Sequence, residues 1–174
     1  MDGSVAQSMR ESGLDYRYNW GWTRGYLLEL AAQYQPSREL AEALRESAVR
    51  ELLILSTMLF PREELTEQDV EAFLEKATNV ELQEQLAFNL LAYVPLAIRW
   101  AEEVVLSNAT DESRLYVALL TIANYTKRQP DKPLSEKLSE ALESYVSAEE
   151  LPMHCRRVAY DLLITLEERT ASND

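Results

Sequence analysis

Apolar residues recur along this chain at intervals of three and four, in blocks cut apart by prolines and capping side chains. That spacing gathers them on one face of a helix, not of a strand. Residues 23–34 predict the first helix, with Tyr26, Leu27, Leu30 and Ala31 on one face. Pro36 and Ser37 close it and open 38–46, whose inner face is Leu40, Ala41 and Leu44. Residues 49–60 are apolar on most sides and predict a buried helix that ends at Pro61. Thr66 caps 66–77, with Val70, Phe73, Leu74 and Ala77 inward. Asn79 caps 79–93, with Leu82, Leu86, Leu90 and Tyr93 in register. Pro95 opens a helix carrying Ile98, Ala101, Val105 and Leu106, and Asp111 opens 111–125 with Leu115, Ala118, Leu119 and Ile122 inside. A polar loop at 127–133 precedes the last two helices, 135–146 and 153–168.

Pairs of these segments recur at about 30–45 residues, the period of stacked helical hairpins. In such a solenoid each hairpin buries its apolar stripe against its neighbours. The pattern predicts an all-α, HEAT-like (armadillo-like) helical repeat, a right-handed α-α superhelix over 26–174; an irregular helical bundle is the competing reading. Composition strengthens the helical part. No glycine occurs after Gly25, and 28 Leu and 19 Ala stand against 14 Val plus Ile. Hairpin turns need glycine, whereas β-branched residues lose rotamer freedom on a helix and Leu and Ala lose little.

The first 25 residues read differently. Tyr16, Tyr18, Trp20 and Trp22 alternate with Arg17, Asn19 and Gly21, a period of two that no helix can use. Residues 1–25 are expected to form an extended aromatic arm with the four rings on one side. It serves either as cover for the open end of the first hairpin or as a stacking platform for bases or a partner.

Charge and cysteine content narrow the chemistry. The chain has a net charge of −13, one cysteine and one histidine. An internal disulfide and a His-rich metal site are excluded, and no cofactor or metal is expected. No segment is apolar and long enough to span a bilayer, so the expectation is a cytoplasmic protein without a membrane partner. Residues 39–84 carry twelve acids and four bases. Such a surface repels phosphates at long range, and only a local basic groove reverses that.

Particular passages then become recognisable. Leu40-Ala41-Glu42-Ala43-Leu44, Arg50-Glu51 and Ile54-Leu55-Ser56-Thr57-Met58-Leu59 resemble a passage of the DNA alkylation repair family, HEAT-like repeat relatives of alkylpurine DNA glycosylases. Thr66 to Phe73, then Val80-Glu81-Leu82, Gln85 and Phe88-Asn89-Leu90-Leu91, resemble that family's next helical pair. The resemblance covers roughly 26–168 and implies a shortened, divergent member. Catalytic members excise N-alkylated purines from duplex DNA. They need a carboxylate beside the developing sugar cation, an aromatic grip on the lesion and a basic groove.

The family's aromatic and acidic positions, one turn apart, fall on Val80 and Glu84, which makes Glu84 the candidate catalytic carboxylate. The groove arginine falls near Arg114, and the late tryptophan near Tyr160 or Asp161. Lys127, Arg128, Arg156 and Arg157 complete a candidate basic rim for DNA. Valine has no π face with which to hold a base or a cation. The resemblance therefore implies a non-catalytic binding or scaffold member, with duplex DNA bound weakly or a protein partner in the concave groove. Its alternative is an active alkylpurine glycosylase.

Overall fold

The computed structural model describes residues 3–11, 14, 16–107, 109–132 and 134–171. Among them are ten α-helices and no strand, only an isolated bridge between Tyr18 and Val49. The helices are α1 (Gly3–Glu11), α2 (Arg24–Ala31), α3 (Arg38–Arg45), α4 (Arg50–Leu59), α5 (Glu67–Lys76), α6 (Val80–Asn89), α7 (Pro95–Leu106), α8 (Glu112–Arg128), α9 (Leu138–Ser147) and α10 (Met153–Ala171). Short 3-10 turns lie at Arg62–Glu64 and Leu91–Tyr93. No helix among the described residues is long and apolar enough to cross a membrane.

Capping side chains set five of the ten helix starts among the described residues. Thr23, Ser37, Asn79 and Asp111 each accept from a backbone N–H in the first turn of the helix they precede. Thr66 and Asp69 form a reciprocal capping box at α5, worth about 1 kcal/mol. The same Asp69 receives two bonds from Arg38, at 2.8 and 3.0 Å, which tie α5 to α3.

The chain divides into two compact units, one through Leu90 and one from Leu91. In the first, α3 packs on α4 and α5 on α6, while α4 packs on α2 and α6. The amide of Ser37 donates to the carbonyl of Leu59, so α3 and α4 are antiparallel. α4 and α6 are parallel, because Arg50 meets Glu81 at their starts and Thr57 meets Asn89 at their ends, 31 and 32 residues apart in sequence. Leu27, Ala41, Ile54, Val70, Phe73 and Leu86 fill the space between them.

The second unit repeats the plan. α7 packs on α8, α9 on α10, and α8 on α10. The Cys155 thiol lies 3.9 Å from the carbonyl of Glu112, and Arg169 donates to the carbonyl of Gln129, so α8 and α10 are parallel at offsets of 43 and 40 residues. Both units therefore show the 30–45-residue period. Ile98, Ala101, Val105, Leu115, Ala118, Leu119 and Ile122 are buried, as their spacing predicts, while Leu106 is half-buried.

Four expectations are corrected. α1 occupies part of the arm that the pattern reads as extended. Tyr26 and Leu40 sit on helices but face out, at 48% and 36% exposure. The helix expected to reach Tyr93 ends at Asn89, because Leu90 leaves the helical region at φ −121°, and a 3-10 turn leads to Val94, which Pro95 holds extended. Tyr93 is turned out as a result. Finally, the four arm rings do not share a side. Tyr16 is buried, whereas Tyr18 is 52% exposed. Gly21 holds a left-handed φ of 73° that breaks the straight alternation, and the amide of Gly21 donates to Asn19 Oδ1 at 2.8 Å.

Candidate nucleic-acid interface

Charged groups in the first unit are arranged to hold the arm. Arg50 and Glu51 begin α4 and are 2% and 0% exposed. Arg50 Nε donates to Glu81 Oε2 at 2.8 Å, its Nη2 donates to Glu81 Oε1, and its Nη1 donates to the Trp22 carbonyl at 2.9 Å. Glu51 accepts from the backbone amides of Trp20 and Trp22 at 3.1 and 3.2 Å. The Tyr16 hydroxyl donates to Glu81 Oε2 at 2.5 Å. Burial alone would favour the neutral acid of Glu81, yet the bonds from Arg50 and Tyr16 outweigh it and hold its carboxyl below the usual range. The Glu81 carboxylate is thus committed to Arg50 and Tyr16, and that of Glu51 to Arg50 and the two arm amides. The sequence offers a signal for them, an Arg-Glu pair inside an otherwise apolar helix, but none for which segment they hold.

A second set of bonds runs beside it. Arg24 Nε donates to Gln85 Oε1 at 3.2 Å and its Nη2 to Asn89 Oδ1 at 3.1 Å. Asn89 Nδ2 donates in turn to Thr57 Oγ1 at 3.0 Å. Gln85 and Asn89 are neutral, so these bonds fix Arg24 in place without cancelling its charge.

Val80 and Glu84 lie one turn apart on α6, Val80 40% exposed and Glu84 half-buried. An exposed aliphatic side chain supplies no ring against which a lesion could stack. A shallow cleft, partly open to solvent, lies in the same unit, lined by residues that include Arg45, Ser56, Phe73, Lys76 and Leu86. Its lining contains neither Glu84 nor any other carboxylate.

The remaining candidate residues belong to the second unit. Arg114 is in the first turn of α8, its guanidinium 6.0 Å from the Trp100 ring centre. Arg156, Arg157 and Tyr160 are in the first three turns of α10, whose start lies beside that of α8. Arg157 and Tyr160, at i and i+3, are both exposed, while Arg156 Nε donates to the Val146 carbonyl at 3.2 Å and closes the end of α9. Lys127 and Arg128 are at the other end of α8, with Arg128 stacked 4.0 Å over Tyr93. Thirteen residues at 1.5 Å each separate Arg114 from Lys127 by about 20 Å. The rim is thus two cationic groups on one pair of parallel helices.

Other chemistries find little here. Burial, and then the charge of Glu112, push the Cys155 thiol up to about 11, so it is not a thiolate at neutral pH. Among the described residues, no three His, Cys, Asp or Glu side chains are grouped to hold a metal ion.

No family model and no curated protein matches the sequence. A solved structure does match in fold: a member of a new family of proteins related to the HEAT-like repeat DNA glycosylases, with affinity for branched DNA structures. The TM-score is 0.83 at 17% identity, over 98% of this chain and 72% of the other. The fold is therefore that of a HEAT-like helical repeat.

Proposed function

We propose that this chain is a non-catalytic DNA-binding protein on a HEAT-like frame, selective for branched over linear duplex DNA. The observation that carries the reading is the pairing of α8 with α10. Their parallel register sets Arg114, Arg157 and the exposed Tyr160 at one end and Lys127 and Arg128 at the other. Cations spaced in this way contact separate phosphates while a ring contacts sugar or base. The fold match supports the choice of ligand, since that protein has affinity for branched DNA.

The absence of excision chemistry rests on α6. With Val80 in the aromatic position, Glu84 would act without a grip on the lesion. The buried Glu51 and the half-buried Glu81 are already committed to Arg50 and the arm. A net charge of −13 makes any DNA contact local and sensitive to salt.

The test is a mobility shift at low salt with a four-way junction and a linear duplex of equal length. We expect the junction to bind more tightly, and the double variant Lys127→Glu/Arg157→Glu to lose that complex. Equal binding of both DNAs would remove the branched preference. Release of 7-methylguanine from duplex, abolished by Glu84→Gln, would replace the reading with a glycosylase.

A further inference from the structure

The arm carries rings that the fold does not use up. Tyr16 is committed inward, but Tyr18 and Tyr26 are 52% and 48% exposed. Trp20, Trp22 and Tyr26 form a continuous run, with centroids 5.0 Å apart between the indoles and 4.7 Å between Trp22 and Tyr26. In a straight strand, side chains two residues apart are separated by about 7 Å. The left-handed turn at Gly21 draws the indoles closer than that. The backbone beneath is clamped by Glu51 and Arg50, so the rings are held in place before any ligand arrives.

The segment that carries the rings is itself basic, and the carboxylates beneath it, Glu51 and Glu81, are both paired with Arg50. Residues 16–28 contain Arg17 and Arg24 and no acid, in a protein of net −13. Arg17 lies 5.5 Å from the Tyr18 ring centre, and Arg24 is held by two amide oxygens rather than by a carboxylate. Preordered rings flanked by cations suit a polyanion whose units carry π faces, which describes unpaired nucleotides. A hydrophobic protein surface would use the rings but not the charge.

We infer that Trp20, Trp22 and Tyr26, with the exposed Tyr18 two residues before them, form a stacking platform for single-stranded nucleotides. This rests on the DNA-binding reading and extends it to a second contact, on the first unit, independent of the cations of α8 and α10. Stacking on such platforms changes affinity by about 5- to 160-fold per base when a ring is removed.

The experiment titrates the full chain with a labelled 15-nucleotide oligothymidine, following anisotropy together with tryptophan fluorescence, and with a blunt four-way junction in parallel. Trp20 and Trp22 report from the platform, while Trp100 is buried elsewhere. The wild type should bind the oligomer with quenching. Tyr18→Ala/Tyr26→Ala, two changes at exposed positions, should weaken that binding at least about fivefold with the melting temperature and the junction affinity unchanged. Junction binding accompanied by no oligomer binding, or by oligomer binding that the double variant leaves intact, would overturn the platform alone and leave the rings as a surface for a protein. Failure of the wild type to bind either DNA would overturn both readings.

Discussion

Arg50 and Glu81, 31 residues apart, meet through two guanidinium–carboxylate bonds at the starts of the parallel helices α4 and α6. The pair fixes the register of one hairpin against the next, and Arg50 also accounts for the carbonyl of Trp22. It is almost wholly withdrawn from water, with Arg50 side-chain exposure of 3% and Glu81 of 16%. Removing one member of a buried pair strands the other, at a cost of about 3–5 kcal/mol. Arg50→Met should therefore destabilise the protein by that amount in urea unfolding. Glu81→Gln should cost less, because Glu51 still faces Arg50. An Arg50→Met variant within about 1 kcal/mol of wild type would show that packing alone sets the register.

Acid should unfold the protein through the same groups. Burial opposes ionisation of Glu81 and Asp69, but the bonds from Arg50 and Tyr16 to the first, and from Arg38 and Thr66 to the second, leave both carboxyls lower than their ordinary 4.5 and 3.8. The unfolded chain thus takes up protons first as pH falls. The stabilisation is complete above about pH 5 and disappears as pH drops through the folded-state values. Melting temperatures from pH 7 to 3 should fall steeply at the acid end, and less steeply in Glu81→Gln.

An alkaline limb should follow from Tyr16. Burial, and then the bond to the Glu81 carboxylate, push its phenol well above the ordinary 10.0. Folding favours the protonated phenol, so its contribution is intact below pH 10 and is lost above it. Tyr16→Phe should flatten this limb and cost about 1–2 kcal/mol at neutral pH, since Glu81 loses a donor. An unchanged alkaline limb would mean that the hydroxyl does not reach the carboxylate in solution.

Within the arm, Trp20 is half-buried and touches Trp22. Full burial of such a ring is worth about 1.5–3 kcal/mol, so Trp20→Ala should cost roughly half of that. At about 2–4 °C per kcal/mol for a chain of this size, calorimetry should register a drop of a few degrees. A melting temperature equal to wild type would mean that Trp20 adds nothing to the fold.

How far the sequence could be read follows from which forces are local. Caps and prolines act within a turn, so Ser37, Thr66, Asn79 and Pro95 mark their helices from sequence alone. The HEAT-like period is likewise visible, because each hairpin buries its own stripe. The clamp on the arm is not local: Glu51 serves amides about thirty residues away, and no periodicity announces that. For the same reason Tyr16 and Tyr18 look equivalent in sequence, yet one is bonded to Glu81 and the other faces water. The basic residues were legible as a set but not as an arrangement. Arg156 is engaged by a helix end and Arg128 by a ring, while Arg157 and Lys127 remain outward.

The most direct test of DNA binding without base excision is the salt dependence of junction affinity. If Arg114, Lys127, Arg128 and Arg157 contact phosphates, the logarithm of the association constant should fall against the logarithm of salt with a slope of about −3 to −4. Between about 50 and 200 mM salt that is a loss of roughly 50- to 250-fold, and Lys127→Glu/Arg157→Glu should flatten the slope by about 2. A slope near zero, or one that the double variant leaves unchanged, would contradict the assignment of this rim to DNA.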